Sequence, residues 1–155
     1  MSISGRTSST GERGFLLDTN VISEATRERP DANVMTWLSA ADEDHLFLSV
    51  ATLAEINRGI EAMATGMKQR RLRDWLLNEL IPRFDDRILP VDAPVGLLWG
   101  AILVRSKKAG HMIEAVDALI AATAERHGLT LATRNVADFT GLKLPLIDPW
   151  RAAVP

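Results

Sequence analysis

The chain has 155 residues, no cysteine, and 18 Lys and Arg against 20 Asp and Glu, for a formal net charge of −2. One domain of this size buries a core without covalent staples, and disulfides, thiolate metal sites and a cysteine nucleophile are excluded. No apolar run approaches the ~18 residues of a membrane span, so a soluble, cytoplasmic protein without membrane contacts is expected, and any nucleic-acid contact has to come from local basic patches.

Residues 1–14 hold nine Ser, Thr or Gly and a single Ile. Such a segment buries too little to offset its ordering entropy, so a disordered tail is expected, with 15–155 as a single domain. Phe15–Leu17 reads as a buried strand and Thr19–Ala25 as the start of a short helix. A second helix is expected from Pro30-Asp31, with Val34, Trp37 and Leu38 at helical spacing. Leu46–Leu48 is the next strand. Either Ser49 or Thr52 caps the helix that follows, Thr52-Leu53-Ala54-Glu55 having capping-box form, and Leu53, Ile56, Ile60 and Met63 form its inward stripe until Gly66 stops it.

A helix over about 67–80 carries Leu72, Trp75, Leu76 and Leu80 on one face and Lys68, Arg70, Arg71 and Arg73 near its start, with Pro82 closing it. Ile88–Val91 is a third strand. Val95, Leu98, Trp99 and Ile102 face inward from a helix over 93–108, with Gly110 beyond its end. The Ala-rich segment Ala115–His127 is helical and stops at Gly128. Thr130–Ala132 and Leu144–Ile147 are the last strands, with a helical turn over Asn135–Phe139 between them. Strands alternating with helices argue an α/β sandwich whose parallel sheet is covered on both faces, and sites in such folds lie beyond the carboxyl ends of the strands.

Polar residues at those ends make a short list. Asp18 directly follows the first strand, Glu55 lies near the start of the helix after the second, Asp117 opens the Ala-rich helix, and Asn135 and Asp138 follow the fourth strand. Clustered carboxylates repel unless a cation neutralises them, and oxygen-only ligands favour Mg²⁺, or Mn²⁺ as substitute, over zinc. A macrodipole role at a helix start accounts for Asp117 or Glu55 taken singly. Asp18 resists that account, because a carboxylate ending an apolar strand is costly to desolvate unless something binds it. His45, His111 and His127 show no ligand spacing, and no Gly-rich phosphate loop is present.

Four runs carry a family resemblance: Phe15-Leu16-Leu17-Asp18-Thr19-Asn20-Val21-Ile22-Ser23-Glu24, Leu48-Ser49-Val50-Ala51-Thr52-Leu53-Ala54-Glu55, Asp117-Ala118-Leu119-Ile120-Ala121-Ala122-Thr123-Ala124, and Leu131-Ala132-Thr133-Arg134-Asn135-Val136-Ala137-Asp138-Phe139. In order and with ordinary spacing across 15–150, they resemble the PIN-domain ribonucleases, above all the VapC and FitB-like toxins of type II toxin–antitoxin modules. The resemblance implies a five-stranded parallel sheet of order 3-2-1-4-5 and an acidic Mg²⁺ pocket that hydrolyses RNA phosphodiesters. Asp18, Glu55 and Asp117 then form the acidic triad and metal ligands. The fourth acidic place falls at Asn135, with Asp138 three residues on. Ser49, Thr19 and Thr133 are candidate donors behind the carboxylates, though capping or turn roles serve equally.

The resemblance also implies a homodimer or a larger toxin–antitoxin assembly, a cognate antitoxin laid across a groove, and operator DNA met only through that antitoxin. Ile60, Met63, Leu72, Trp75 and Leu76 are the expected contact residues. Arg134, beside the pocket, is the better single candidate for a phosphate contact, whereas the 68–73 basic run suits a solvated face, an RNA grip or a partner contact equally. Trp37, Trp75 and Trp99 read as core, and Trp150 as packing the C-terminus rather than stacking a base. A competing reading is a catalytically weak PIN module acting mainly as partner of a DNA-binding antitoxin. A phosphatase or receiver reading fares worse, since the former wants an Asp where Asn20 stands.

Overall fold

The computed structural model describes residues 13–153. Most of the expected 1–14 tail lies outside that range. Within it, β1 (Phe15–Leu17), β2 (Leu46–Ser49), β3 (Ile88–Leu89), β4 (Thr130–Ala132) and β5 (Leu146–Ile147) form one parallel sheet in the order β3-β2-β1-β4-β5. The helices are α1 (Thr19–Glu24), α2 (Ala32–Ala40), α3 (Val50–Glu61), α4 (Met67–Trp75), α5 (Ile81–Phe84), α6 (Ala93–Lys108) and α7 (Ala115–His127).

Alternation along each strand divides the core in two. Leu16 and its register partner Leu131 point to one face, where they pack with Val95 and Ile102 of α6 and Ile120 of α7. Ala118, Ala121, Ala122 and Ala124 let α7 approach the sheet closely, and all four are fully buried. Leu17 and Ala132 point to the other face, against Val21, Ile22, Val34, Trp37, Ile56 and Leu76. Phe15 meets the Trp37 ring edge-on at 5.0 Å. Gly14 is required just before β1, because a Cβ there would stand 2.1 Å from the His45 carbonyl oxygen.

Asp31 caps α2 by accepting from the Asn33 and Val34 N–H groups, and Asp92 caps α6 through Val95 N–H, with Pro94 in its first turn. Gly128, at φ 64°, closes α7 in the left-handed conformation. Ser49 is the residue that caps α3, its hydroxyl accepting from Ala51 N–H. Thr52 is instead fully buried inside that helix. Gly66 precedes α4, and α3 has already ended at Glu61.

Pro82 does not close the fourth helix. Between α4 and α5 the turn Leu76–Leu80 is a π turn, in which the Ile81 N–H reaches back five residues to the Leu76 carbonyl. That wider turn opens the ladder where the proline ring would meet a carbonyl four residues back, so the chain stays helical to Phe84. It ends at Asp85, which takes a left-handed φ of 41°. Arg87 fixes this corner to the sheet by donating to the backbone carbonyls of Glu43, Leu46 and Arg83, with its guanidinium 4.7 Å from the Phe84 ring centre. β3 and β5 are each two residues shorter than expected, at their C-terminal and N-terminal ends respectively.

Candidate active site

Asp18 follows the central strand and caps α1. Its Oδ1 accepts from the Thr19 N–H at 2.7 Å, and its Oδ2 accepts from the Thr133 hydroxyl, also at 2.7 Å. Asn20 Nδ2 lies 3.4 Å from both Asp18 Oδ2 and Thr133 Oγ1. The contact between Asp18 and Thr133 spans the β1–β4 pair at the sheet's carboxyl edge and holds the carboxylate in one rotamer. Asp18 is 5% exposed, and burial raises its pKa despite these donors, with the Asp138 charge adding to the rise.

Asp117 sits in the first turn of α7. Its pKa is pushed up to about 6, first by burial and then by the charges of Asp18, Glu55, Asp138 and Glu114. Glu55, on α3, is raised by burial and by Asp18 and Glu114, while nearby Thr19 and Arg58 act in the opposite sense. The Thr19 hydroxyl is itself buried without a full hydrogen-bond partner among the described residues. Three sequence-distant carboxylates are thus close enough to disfavour one another's charge.

Asp138 reaches this cluster electrostatically, from the short 3₁₀ turn Val136–Phe139. Asn135 lies at the start of that turn with an exposed side chain, and its N–H donates to Thr133 Oγ1 at 3.1 Å. Glu114, the residue before α7, joins the cluster and was missed in the sequence. Its position three residues ahead of Asp117 at a helix start was the available signal. Ser49 Oγ stands 3.5 Å from Thr123 Oγ1 and serves as a cap.

The donor set is all oxygen and self-repelling, which suits a hard divalent cation. As placed, no three acidic or histidine side chains among the described residues surround one point closely enough to hold an ion. The fit is therefore one of donor chemistry and charge, and ligation requires the side chains to close in.

A cleft of about 790 Å³ opens from Thr19, Asn20 and Glu55 and runs between α1, α3 and α4. Ile56, Ile60, Met63, Leu72 and Trp75 floor it, while Lys68, Arg71 and Arg134 line it with no carboxylate within ion-pair distance among the described residues. The basic run is split by its helix: Arg73 pairs with Glu61 at 2.9 Å and Arg70 is exposed outside the cleft. Of the five apolar residues expected to meet a partner, Ile60 and Leu76 are buried within this chain's own core at 3% exposure each. Met63, Leu72 and Trp75 remain half-exposed in the cleft.

A family model for the PIN domain matches residues 15–139. The chain belongs to the PIN-domain family. Toxin FitB of Neisseria gonorrhoeae is 39% identical to it over 136 residues, covering 88% of this chain and 98% of that protein. VapC ribonuclease Y4jK of Sinorhizobium fredii is 36% identical over 139 residues, covering 90% and 99%. Among solved structures, a chain of FitAB bound to an IR36 DNA fragment superposes with a TM-score of 0.85 at 37% identity, over 90% of this chain and 97% of that one. The shared PIN fold places the central strand and its terminal Asp18 at the middle of the sheet, where the acidic cluster forms. No helix among the described residues is long and apolar enough to cross a membrane.

Proposed function

We propose that this PIN domain is a Mg²⁺-dependent endoribonuclease and the toxin of a type II toxin–antitoxin module. The observation that carries the reading is the meeting of Asp18, Glu55 and Asp117 at the carboxyl edge of the sheet, each with a pKa raised by burial and by its acidic neighbours. These three would hold the ion, with Mn²⁺ as a substitute. When bound, Mg²⁺ supplies Lewis-acid polarisation of the scissile phosphate and a water of lowered pKa. The chain's own part is to keep Asp18 in one rotamer through Thr133 and Thr19 N–H, and to offer at Asp117 a carboxyl whose raised pKa, from burial and neighbouring acids, marks the negative charge a cation would offset. Asp138, rather than Asn135, supplies the fourth negative charge, since the charge at both Asp18 and Asp117 responds to it.

Purified protein given single-stranded RNA should cleave it with Mg²⁺ and stop in excess chelator, and Asp117→Asn should remove the activity while the fold persists. Full cleavage in chelator, or by the Asn variant, would sink the reading. The alternative, a PIN module with weak catalysis, draws on the neutral Asn135 and the spacing of the carboxylates, and the same assay separates it.

An antitoxin is the expected partner, supported by FitB being a toxin and FitAB a DNA-bound pair. Met63, Leu72 and Trp75 give the cleft an apolar floor for such a chain. A second copy of the PIN domain fits α6, where Leu97 and Val104 lie two turns apart at 79% and 53% exposure. A strictly monomeric mass in solution at high concentration would count against that dimer. Operator DNA is then met only through the antitoxin.

A further inference from the structure

Arg134 follows Thr133 at the end of β4, and three features hold it in place. Its guanidinium carbon lies 5.1 Å from the Trp150 ring centre, within cation–π range. Its backbone N–H donates to Asn20 Oδ1 at 3.3 Å, and the amide nitrogen of the same Asn20 approaches Asp18 Oδ2. Trp150 is itself half-buried against the core, with its backbone carbonyl accepting from Asn33 Nδ2 at 2.9 Å and its N–H donating to Asp148 Oδ1. An exposed arginine without a carboxylate partner among the described residues is ordinarily free to wander. This one is backed by an indole and keyed through one side chain to the buried carboxylate of the acidic cluster.

We infer that Arg134, backed by Trp150, forms a phosphate subsite that grips the RNA phosphodiester neighbouring the one cleaved. The inference rests on the ribonuclease reading. A cluster of carboxylates repels a polyanion, so a strand entering it needs a cation at the rim. Arg134 is such a cation, and Asn20 sets its register against Asp18. Lys68 and Arg71 line the same cleft, along with Glu28 and with Glu24, which is paired to Arg27 at 3.3 Å. An acidic partner protein could use the same cation, but nothing in that case would require its coupling to Asp18.

The test measures binding apart from turnover. In an Asp117→Asn background, a short fluorescein-labelled single-stranded RNA of mixed sequence is titrated by anisotropy between about 50 and 200 mM KCl. Arg134→Ala should weaken Kd about tenfold at the low-salt end and reduce the slope of log Kd against log salt by about 0.7, the value of one phosphate contact to a single strand. Arg134→Lys should keep the slope, because the charge remains. Trp150→Phe should keep both affinity and slope, whereas Trp150→Leu should weaken Kd at unchanged slope, the cation being present but no longer held. Failure of the Asp117→Asn protein to bind RNA, or an unchanged Kd and slope on Arg134→Ala, would overturn the subsite. If Arg134→Ala weakened only the co-encoded partner protein, the residue belongs to that contact and the subsite is likewise overturned. Cleavage by the wild type is scored separately: cleavage with no effect of Arg134 removes the subsite alone, and an effect of Arg134 on binding without wild-type cleavage removes the ribonuclease reading alone.

Discussion

At Asp117 the fold keeps a carboxylate where its charge is disfavoured. In the unfolded chain the group titrates near 3.8, and in the fold at about 6, so the folded state binds the proton more tightly. The stability contribution of this group is thus greatest below 3.8, declines as pH rises to about 6, and stays at its low value above that. Asp117→Asn removes this penalty. In the absence of metal we expect its Tm at pH 7 to exceed that of the wild type by about 2–4 °C, the equivalent of roughly 1 kcal/mol after discounting for solvent screening. The gap should close in melts below pH 4. Activity should move the other way, falling by more than about 100-fold, since even groups behind metal ligands cost that much. Because an ion competes with that proton, Mg²⁺ affinity measured by calorimetry should strengthen as pH rises from 5 to about 6 and level off above it, and an affinity independent of pH over 5–7 would contradict the assignment. Thr133→Val removes the hydroxyl that donates to Asp18 at nearly constant volume, and should weaken Mg²⁺ binding about 10- to 100-fold by calorimetry with little loss of fold.

Among the elements, the helices on the α6/α7 face were the most legible. Asp92 with Pro94 starts α6 and Gly128 ends α7, and each signal acts through its own backbone chemistry, so the bounds 93–108 and 115–127 follow from local sequence. The reading failed where tertiary structure overrode a local signal. Thr52 to Glu55 has capping-box form, but β2 delivers Ser49 to the helix start first, leaving Thr52 in the interior. Pro82 is a strong stop, but a π turn ahead of it absorbs the lost hydrogen bond. The site divides differently: Asp18, Glu55 and Asp117 could be read from strand ends and helix starts, and Glu114, directly before α7 and three residues ahead of Asp117, carried the same kind of signal but stands in none of the four runs that carry the family resemblance. The corner after α5 offers an element-scale test. Arg87→Ala leaves the carbonyls of Glu43, Leu46 and Arg83 without their shared donor, and should destabilise the protein by about 1–3 kcal/mol in urea melts. No change in midpoint would show that water replaces the guanidinium at no loss.

For the molecule as a whole, metal and fold are linked through the same carboxylates. An ion that binds only the folded chain stabilises it by about 2.7 kcal/mol at a hundredfold excess over Kd, which for ~150 residues is a rise of about 5–10 °C in Tm. Mg²⁺ should produce that rise in the wild type and little of it in Asp117→Asn, the order of stabilities reversing between metal-free and metal-loaded samples. Equal shifts in both proteins would place the ion elsewhere.

The hydrogen bond between Asp18 and Thr133 closes a gap of 115 residues in the chain. During synthesis β1 emerges early, yet its second neighbour in the sheet, β4, is among the last elements to appear. Until Thr130–Ala132 leaves the ribosome, β1 is an open edge and the Asp18 carboxylate has no hydroxyl to orient it. A nascent or truncated chain therefore carries the acidic residues without their arrangement, and whatever chemistry the cluster performs is withheld until translation is nearly complete.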